Sequence, residues 1–392
     1  MTFMLLIAAT ATAQVHWPMD RTREVTAVNM EPGRIDNGKL SGQATWDPYV
    51  WLRLPQEEID ARVLSWLTVR MYSSAAADVL DVYYQSPDGR WCLGGKFPVA
   101  QGWATYRLDL NANAWRETQT GNESRQWGGP TKRVKSLRID PGNQAGRWVV
   151  IDDVRLEAAR AGLVEGVAVE PRGKARVTAF HVPATVATGT PLTVTVELTA
   201  DVPPGLTKGT VFARLRRGDT VLRSVDQPVA LSSTFRFQVS FPVSAYWYPG
   251  PASAEVGCYE LDLADAAAAR REIAITSGRI GTVKPPTVEL RRLGGDPAIF
   301  VDGRPSVPFA FLTAGGLHPE EHREIAQAGI HLYCDWFGGS VASDLGHVAP
   351  DRYDYAEFDR YFADMLYIDP EARFLPHIRV VGPRWLQAQH PE

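Results

Sequence analysis

From Thr22 to Glu157 apolar and polar positions alternate in short runs, as in Trp66-Leu67-Thr68-Val69-Arg70-Met71-Tyr72 and Val79-Leu80-Asp81-Val82-Tyr83-Tyr84. A period of two puts apolar side chains on one face of an extended chain, so these runs predict half-buried strands. Pro87-Asp88-Gly89, Gly94-Gly95, Gly128-Gly129-Pro130 and Pro141-Gly142-Asn143 supply turn chemistry between them. The prediction for residues 22–157 is an all-β jelly roll or sandwich. Residues 158–173, rich in Ala, Gly and Glu, read as a linker or a short connecting strand.

Alternation resumes at Ala175–Val182, Leu192–Ala200, Val211–Arg216, Val221–Val225, Phe235–Val243, Ala254–Leu263 and Glu272–Thr276. Runs at this spacing predict an immunoglobulin-like sandwich over 174–277. No chemistry-bearing cluster appears in it, so the expected role is a spacer. Arg217-Gly218-Asp219 has the form of an adhesion tripeptide, but Gly-Asp between two alternating runs is what a hairpin turn requires. Residues 278–287, with Pro285-Pro286, form a second linker, stiffened by consecutive prolines.

The period then changes. Ala298–Val301 with Asp302-Gly303-Arg304-Pro305 predicts a hairpin, and Val307–Thr313 a strand. Pro319 opens a helix that Gly329 stops, and Ile330–Cys334 is a second strand. A second helix over Tyr355–Tyr367 places Phe358, Phe362, Met365 and Leu366 on one face, and Phe374–Val381 is a third strand. Strands alternating with helices predict a parallel sheet.

Composition narrows the function classes. The chain has 392 residues, 45% hydrophobic and 22% charged, with a net charge of −4. That balance fits several globular domains and offers no extended positive field for nucleic acid or an anionic membrane surface. Nine of the 12 Trp precede residue 158. Indole faces suit flat apolar contact with sugar rings as well as core packing. Trp91, Trp103 and Trp127, beside Gly-rich or polar turns, are the candidates for sugar contact, whereas Trp66 and Trp148 lie inside strands and should be core. The cysteines Cys92, Cys258 and Cys334 are too far apart in sequence to suggest a zinc spacing or a disulfide framework. No cofactor is expected. His318-Pro319-Glu320-Glu321-His322 fits an inverted zinc-protease motif, but Pro319 sets His318 outside regular helix. The basic run Lys132–Arg138 reads as a solvated edge strand. Asn122-Glu123-Ser124 is a glycosylation sequon.

At the amino terminus, Phe3–Ala9 followed by Thr10-Ala11-Thr12-Ala13 has the apolar core and small-residue ending of a secretory signal, with cleavage after Ala13. Met1-Thr2 lacks the basic residue that normally opens one, so either the start codon is misassigned or residues 1–13 are a truncated leader; the plainer reading of the run is an apolar first strand. The expected location is secreted or periplasmic, with no membrane span.

Two resemblances follow from particular residues. Gly146–Leu156, containing Ile151-Asp152-Asp153-Val154-Arg155-Leu156, resembles the last strand of jelly-roll carbohydrate-binding modules of the galactose-binding-like type. Phe300-Val301-Asp302-Gly303-Arg304-Pro305, Ala328-Gly329-Ile330-His331-Leu332, Tyr353-Asp354-Tyr355 with Phe358-Asp359, and Pro383-Arg384-Trp385-Leu386 together resemble the opening of the barrel of clan A glycoside hydrolases. The likeness is greatest to family 42, the β-galactosidase type, and covers the chain from about residue 298 onward. It implies that residues 288–392 are the start of a (β/α)8 TIM barrel, so the fold expected is multidomain, with two all-β sandwich domains before an incomplete barrel.

The same resemblance implies a retaining mechanism with two carboxyl groups about 5 to 5.5 Å apart. In that clan these are Glu residues after the fourth and seventh strands. Three strands are legible here, and residues 287–392 supply only about 100 of the roughly 250 in a closed barrel. Neither catalytic Glu is therefore expected within this sequence, which reads as an amino-terminal fragment of a secreted glycoside hydrolase acting on plant or algal poly- or oligosaccharides. Sugar-contacting residues are limited to the carboxyl ends of the three strands: Asp335 and Trp336 after the second, Arg379 and Trp385 at or after the third. The alternative is a secreted, non-catalytic polysaccharide-binding protein.

Overall fold

The computed structural model describes residues 14–19, 24–54, 58–121, 126–243, 247, 249–278, 287–306, 310–314, 319–336, 347–375 and 384–390. The chain forms two compact units, Met1–Pro171 and Arg172–Glu392.

In the first unit the strands lie in the order Gly166–Val169, Gly102–Asp109, Trp66–Ser73, Trp148–Glu157, Lys39–Arg53, Ser136–Asp140, Ala77–Gln85, Trp91–Val99 and Arg116–Glu117. Lys39–Arg53 serves both halves: Leu40–Gln43 pair with Trp148–Ile151, and Val50–Arg53 pair with Ser136–Ile139. One core joins the halves, with Leu67, Val69, Tyr106 and Val154 from one side and Val50, Leu52, Leu137 and Val82 from the other. Alternation supplies this core directly, because every second residue of each strand turns inward. Residues 166–169 are a strand paired with Ala104–Arg107, which settles the linker-or-strand alternative for that part of 158–173.

Gly94-Gly95, expected to be a turn, lies inside the Trp91–Val99 strand. A Cβ on Gly94 would stand 2.7 Å from the Trp115 ring, so the missing side chain makes room for an indole. The strand bulges there, where pairing slips between Asp81 and Val82. The basic run is corrected in its second half: Arg133–Val134 pair only with Ile59–Asp60, and Arg133 and Lys135 are exposed, but Ser136–Asp140 is an interior strand between Lys39–Arg53 and Ala77–Gln85. Its Leu137 and Ile139 fill the core, which an edge assignment overlooks.

In the second unit, nine strands from Gly173–His181 to Arg270–Thr276 enclose a core that includes Leu192, Val194, Val196, Leu215, Phe237, Phe241 and Val256. The expected Ala254–Leu263 strand is divided, into Gly250–Cys258 and Leu261–Leu263, by a turn at Tyr259-Glu260. Tyr259 is fully buried and its hydroxyl donates to Asp226 at 2.9 Å, which satisfies both groups away from water.

Beyond it, Val288–Leu293, Asp296–Val301 and Arg304–Ser306 form an antiparallel sheet. Sequence patterning had missed the first of these strands, whose residues are all exposed and so do not alternate. Ala310–Ala314, Leu332–Trp336 and Arg373–Phe374 then pair in parallel. Helices α1 (Pro319–Gln327) and α2 (Ala356–Ile368) connect them, and α3 (Arg384–Gln389) follows. Tyr333, Tyr361 and Met365 form a small core here, flanked by Phe358, Phe362 and Phe374.

α2 also joins the sandwich. Ala363 is buried in the sandwich core, Arg360 donates to the Val221 carbonyl, and Arg223 pairs with Asp364 at 2.8 Å. The sandwich is thus a packing partner of α2, in contrast to the spacer read from sequence. His322, from the zinc-like motif, is buried and stacked on Tyr333, while His318 lies outside the described residues. No helix among the described residues is long and apolar enough to cross a membrane. Residues 1–13 and the sequon at Asn122 lie outside the described residues.

Candidate functional site

The core of the first unit takes Val50, Leu52, Leu137, Ile139, Val82 and Tyr84. Alternation then sends Tyr49, Trp51, Arg138, Asp140, Asp81 and Tyr83 to the opposite face of the same three strands. Register sets them side by side: Arg138 is opposite Trp51 on one neighbour and Tyr83 on the other, and Asp140 is opposite Asp81. Trp91 follows on the next strand, opposite Gln85.

The rings are contiguous. Trp51 lies 6.3 Å from Tyr49, nearly edge-on, and 5.7 Å from Trp91. The Arg138 guanidinium carbon stands 3.8 Å from the Tyr49 ring centre and 4.8 Å from that of Tyr83, and so links the two tyrosines by cation–π contact. Trp51 is 39% exposed, and Trp91, Tyr49 and Tyr83 are partly buried. Rings at least partly exposed are therefore carried by three of four adjacent strands, with Arg138 on the strand between them.

The charges on this face are locked together. Arg138 donates to both oxygens of Asp140 at 2.6 and 2.7 Å and to Asp47 at 3.3 Å. Asp47 has a positive φ of 44°, and its carbonyl accepts from the Asn29 amide at 3.0 Å. Burial pushes the Asp140 carboxyl up to about 6, against the opposing pull of Arg138, with the charges of Asp47 and Asp81 adding to the rise. Burial also raises Asp81, only partly offset by Lys96 and Arg138. The Tyr83 hydroxyl is pushed up to about 12, by burial first and then by Asp140 and Asp81, and so remains a hydrogen-bond donor at neutral pH. Such a face combines flat apolar rings with the partly exposed guanidinium of Arg138 and the exposed carboxylate of Asp47, groups that match a pyranose ring and its hydroxyls.

Of the tryptophans expected to contact sugar, Trp91 belongs to this face. Trp103 and Trp127 do not, and both assignments are corrected. Trp103 is 1% exposed beneath Arg70, whose guanidinium carbon stands 4.1 Å from its ring centre and is fixed by Glu170 and Asp152. Trp127 is equally buried, packed on Tyr84 and Trp115, with its indole N–H donating to the Leu64 carbonyl at 2.8 Å. The turn beside it is itself packed: a Cβ on Gly128 would lie 2.4 Å from that of Ala61. Trp66 and Trp148 are buried, as their strand positions predicted.

Near the parallel strands, the backbone places Asp335 and Trp336 at the carboxyl end of Leu332–Trp336, opposite Thr313 and Ala314. Arg379 lies outside the described residues. Trp385 is half-buried, and its indole donates to the His347 carbonyl at 3.1 Å and packs edge-on against that ring. Asp335, Trp336 and Trp385 belong to the second unit, and the aromatic face to the first.

Tyr49, Trp51, Tyr83, Arg138, Asp81 and Asp140 were all missed from sequence. Two strands carried a usable signal, Tyr49-Val50-Trp51-Leu52-Arg53 and Asp81-Val82-Tyr83-Tyr84-Gln85, in which aromatic or charged residues alternate with core positions.

No protein-family model and no curated protein matches this chain. Among solved structures, a family 11 carbohydrate-binding module of a Clostridium thermocellum cellulosomal cellulase is similar over 39% of this chain and 91% of its own, at 14% identity and a TM-score of 0.23. A glycosyl hydrolase family 2 member from Bacteroides cellulosilyticus matches 73% of this chain at 9% identity and a TM-score of 0.18. A putative β-galactosidase from Bacteroides fragilis matches 83% at 9% identity and 0.17. This chain spans 36% and 45% of the length of those two proteins. Scores and identities this low assign neither family nor function.

Proposed function

We propose that the first unit is a carbohydrate-binding module and that Tyr49, Trp51, Trp91 and Tyr83 form its platform for a neutral polysaccharide chain. The supporting observation is Trp51, a large indole left 39% exposed within a contiguous row of rings, where burial was available on the other side of the same strand. An exposed aromatic row of this kind marks a contact surface. Asp140, buried beneath the face, fixes the Arg138 guanidinium against the rings, and the pairing of the two charges suits an uncharged ligand. Affinity electrophoresis of the whole chain against β-glucan, xylan, galactan and galactomannan tests this, with Trp51→Ala and Trp91→Ala as variants. Retardation by at least one glycan, lost in both variants, is expected.

The parallel strands with α1 and α2 support reading residues 288–392 as the first βα units of a secreted retaining glycoside hydrolase barrel. In this reading the module delivers the enzyme to its polymer, and Asp335 and Trp336 sit at the strand end where barrel active sites lie. The test is the coding sequence beyond Glu392: a fourth strand ending in Asn-Glu is expected.

A further inference from the structure

A second feature of the first unit lies on other strands and involves none of the aromatic platform. Thr68 is paired with Arg155 on one neighbouring strand and with Arg107 on the other. Adjacent strands are about 4.8 Å apart, so the two arginines flank the threonine hydroxyl from opposite sides. Arg107 is paired across the sheet with Gly166, which has no side chain to cover it. Arg160 and the turn at 162–164 complete a pocket of about 390 Å³, within the range of small-molecule sites.

The charges in this pocket are out of balance. Three guanidinium groups line it against one carboxylate, Glu157, which pairs with Arg160 at 3.5 Å. The Nε of Arg155 is held by Asp153 at 2.8 Å, and Asp153 also bonds His16. Among the described residues no ion pair or hydrogen bond engages the Arg107 side chain. Arg155 and Arg160 thus each have a carboxylate partner, whereas Arg107 has none among the described residues. Planar guanidinium forks match oxyanions by paired hydrogen bonds.

We propose that this pocket binds the oxyanion substituent of an acidic glycan, a sulfate ester or a carboxylate, with Arg107 and Arg155 as its paired donors and Thr68 as a third. The site recognises a charged substituent rather than a ring face and works independently of the aromatic platform.

The test uses the whole chain, with sodium sulfate titrated against sodium chloride at matched ionic strength, followed by melting temperature and tryptophan fluorescence. Affinity electrophoresis then compares a sulfated galactan, polygalacturonate and a neutral galactan. The expected results are a saturable effect of sulfate and retardation by at least one acidic glycan, each weakened at least tenfold by Arg107→Gln and by Arg155→Gln. Arg90→Gln, which removes an equal charge elsewhere, should leave both unchanged. Retardation by the sulfated glycan alone assigns a sulfate ester, and by the polyuronate alone a carboxylate. Near-UV circular dichroism confirms folding, and if Arg107→Gln fails it, Arg155→Gln and Thr68→Val carry the test. No saturable sulfate effect, or equal losses in Arg90→Gln and Arg107→Gln, overturns the proposal. Failure of neutral-glycan binding in Trp51→Ala bears only on the aromatic platform, so the two outcomes are separable.

Discussion

The guanidinium carbon of Arg138 stands 3.8 Å from the centre of the Tyr49 ring. A cation held over an aromatic face contributes about 0.5–2 kcal/mol, more as water is excluded. Lysine keeps the charge but not the planar fork, so Arg138→Lys loses the paired bond to Asp140 and lets Tyr49 and Tyr83 reorient. The expected outcome is several-fold weaker glycan binding and a stability loss of about 1–2 kcal/mol, measured by calorimetric titration and urea denaturation. Unchanged binding would remove Arg138 from the site.

The two classes of tryptophan should separate by stability. Trp127→Ala leaves a cavity beside Tyr84 and Trp115 and strands the Leu64 carbonyl, at a cost of about 3–5 kcal/mol. Trp51→Ala removes an exposed ring and should cost less than about 1 kcal/mol. Denaturant midpoints of the two variants check this, and comparable losses would mean that Trp51 is structural.

Asp140 predicts a pH effect with a definite sign. Its carboxyl is held at about 6 in the folded chain against an ordinary value of 3.8, so the folded state binds the proton more tightly than the unfolded one. Its contribution to stability is greatest below about pH 4 and declines as pH rises through about 6, by about 3 kcal/mol in all. Asp140→Asn should abolish that decline. Carbon-13 carboxyl titration gives the midpoint directly, and urea denaturation of wild type and variant at several pH values gives the difference between them. A carboxyl titrating near its ordinary value would contradict the desolvated environment.

Removing Asp364 leaves Arg223, itself only partly exposed, without its carboxylate partner at the contact of α2 with the sandwich. Loss of one partner of such a pair costs about 3–5 kcal/mol. Asp364→Ala should therefore speed amide exchange throughout α2 while the first unit keeps its protection. Exchange unchanged in α2 would mean that Ala363 and Arg360 hold the helix without the pair.

Much of the strand architecture was legible because period-two alternation and core burial are the same fact in these sandwiches. Leu67, Val69 and Leu137 are apolar where they turn inward and alternate with Thr68, Arg70 and Arg138. The boundaries of α1 and α2 followed from Pro319, Gly329 and the apolar stripe at Phe358, Phe362 and Met365. The aromatic face was not legible, since which face of a strand meets solvent depends on strand order, and Ser136–Asp140 is interior only through pairing with Val50–Arg53 and Val82–Gln85. Trp103 and Trp127 misled for a related reason. Glycine beside a tryptophan signals a turn, but Gly102-Trp103 open a strand on which Arg70 covers the indole, and Gly128 lies in a turn packed against Ala61.

Binding of a neutral soluble polysaccharide to wild-type chain and to Trp51→Ala, compared by affinity electrophoresis with folding verified by circular dichroism, tests the carbohydrate-binding face most directly. The wild type should be retarded by at least one of β-glucan, xylan, galactan and galactomannan, and the variant should migrate as in the glycan-free gel. Retardation of Trp51→Ala equal to wild type, or of neither protein by any of the four glycans, would contradict it.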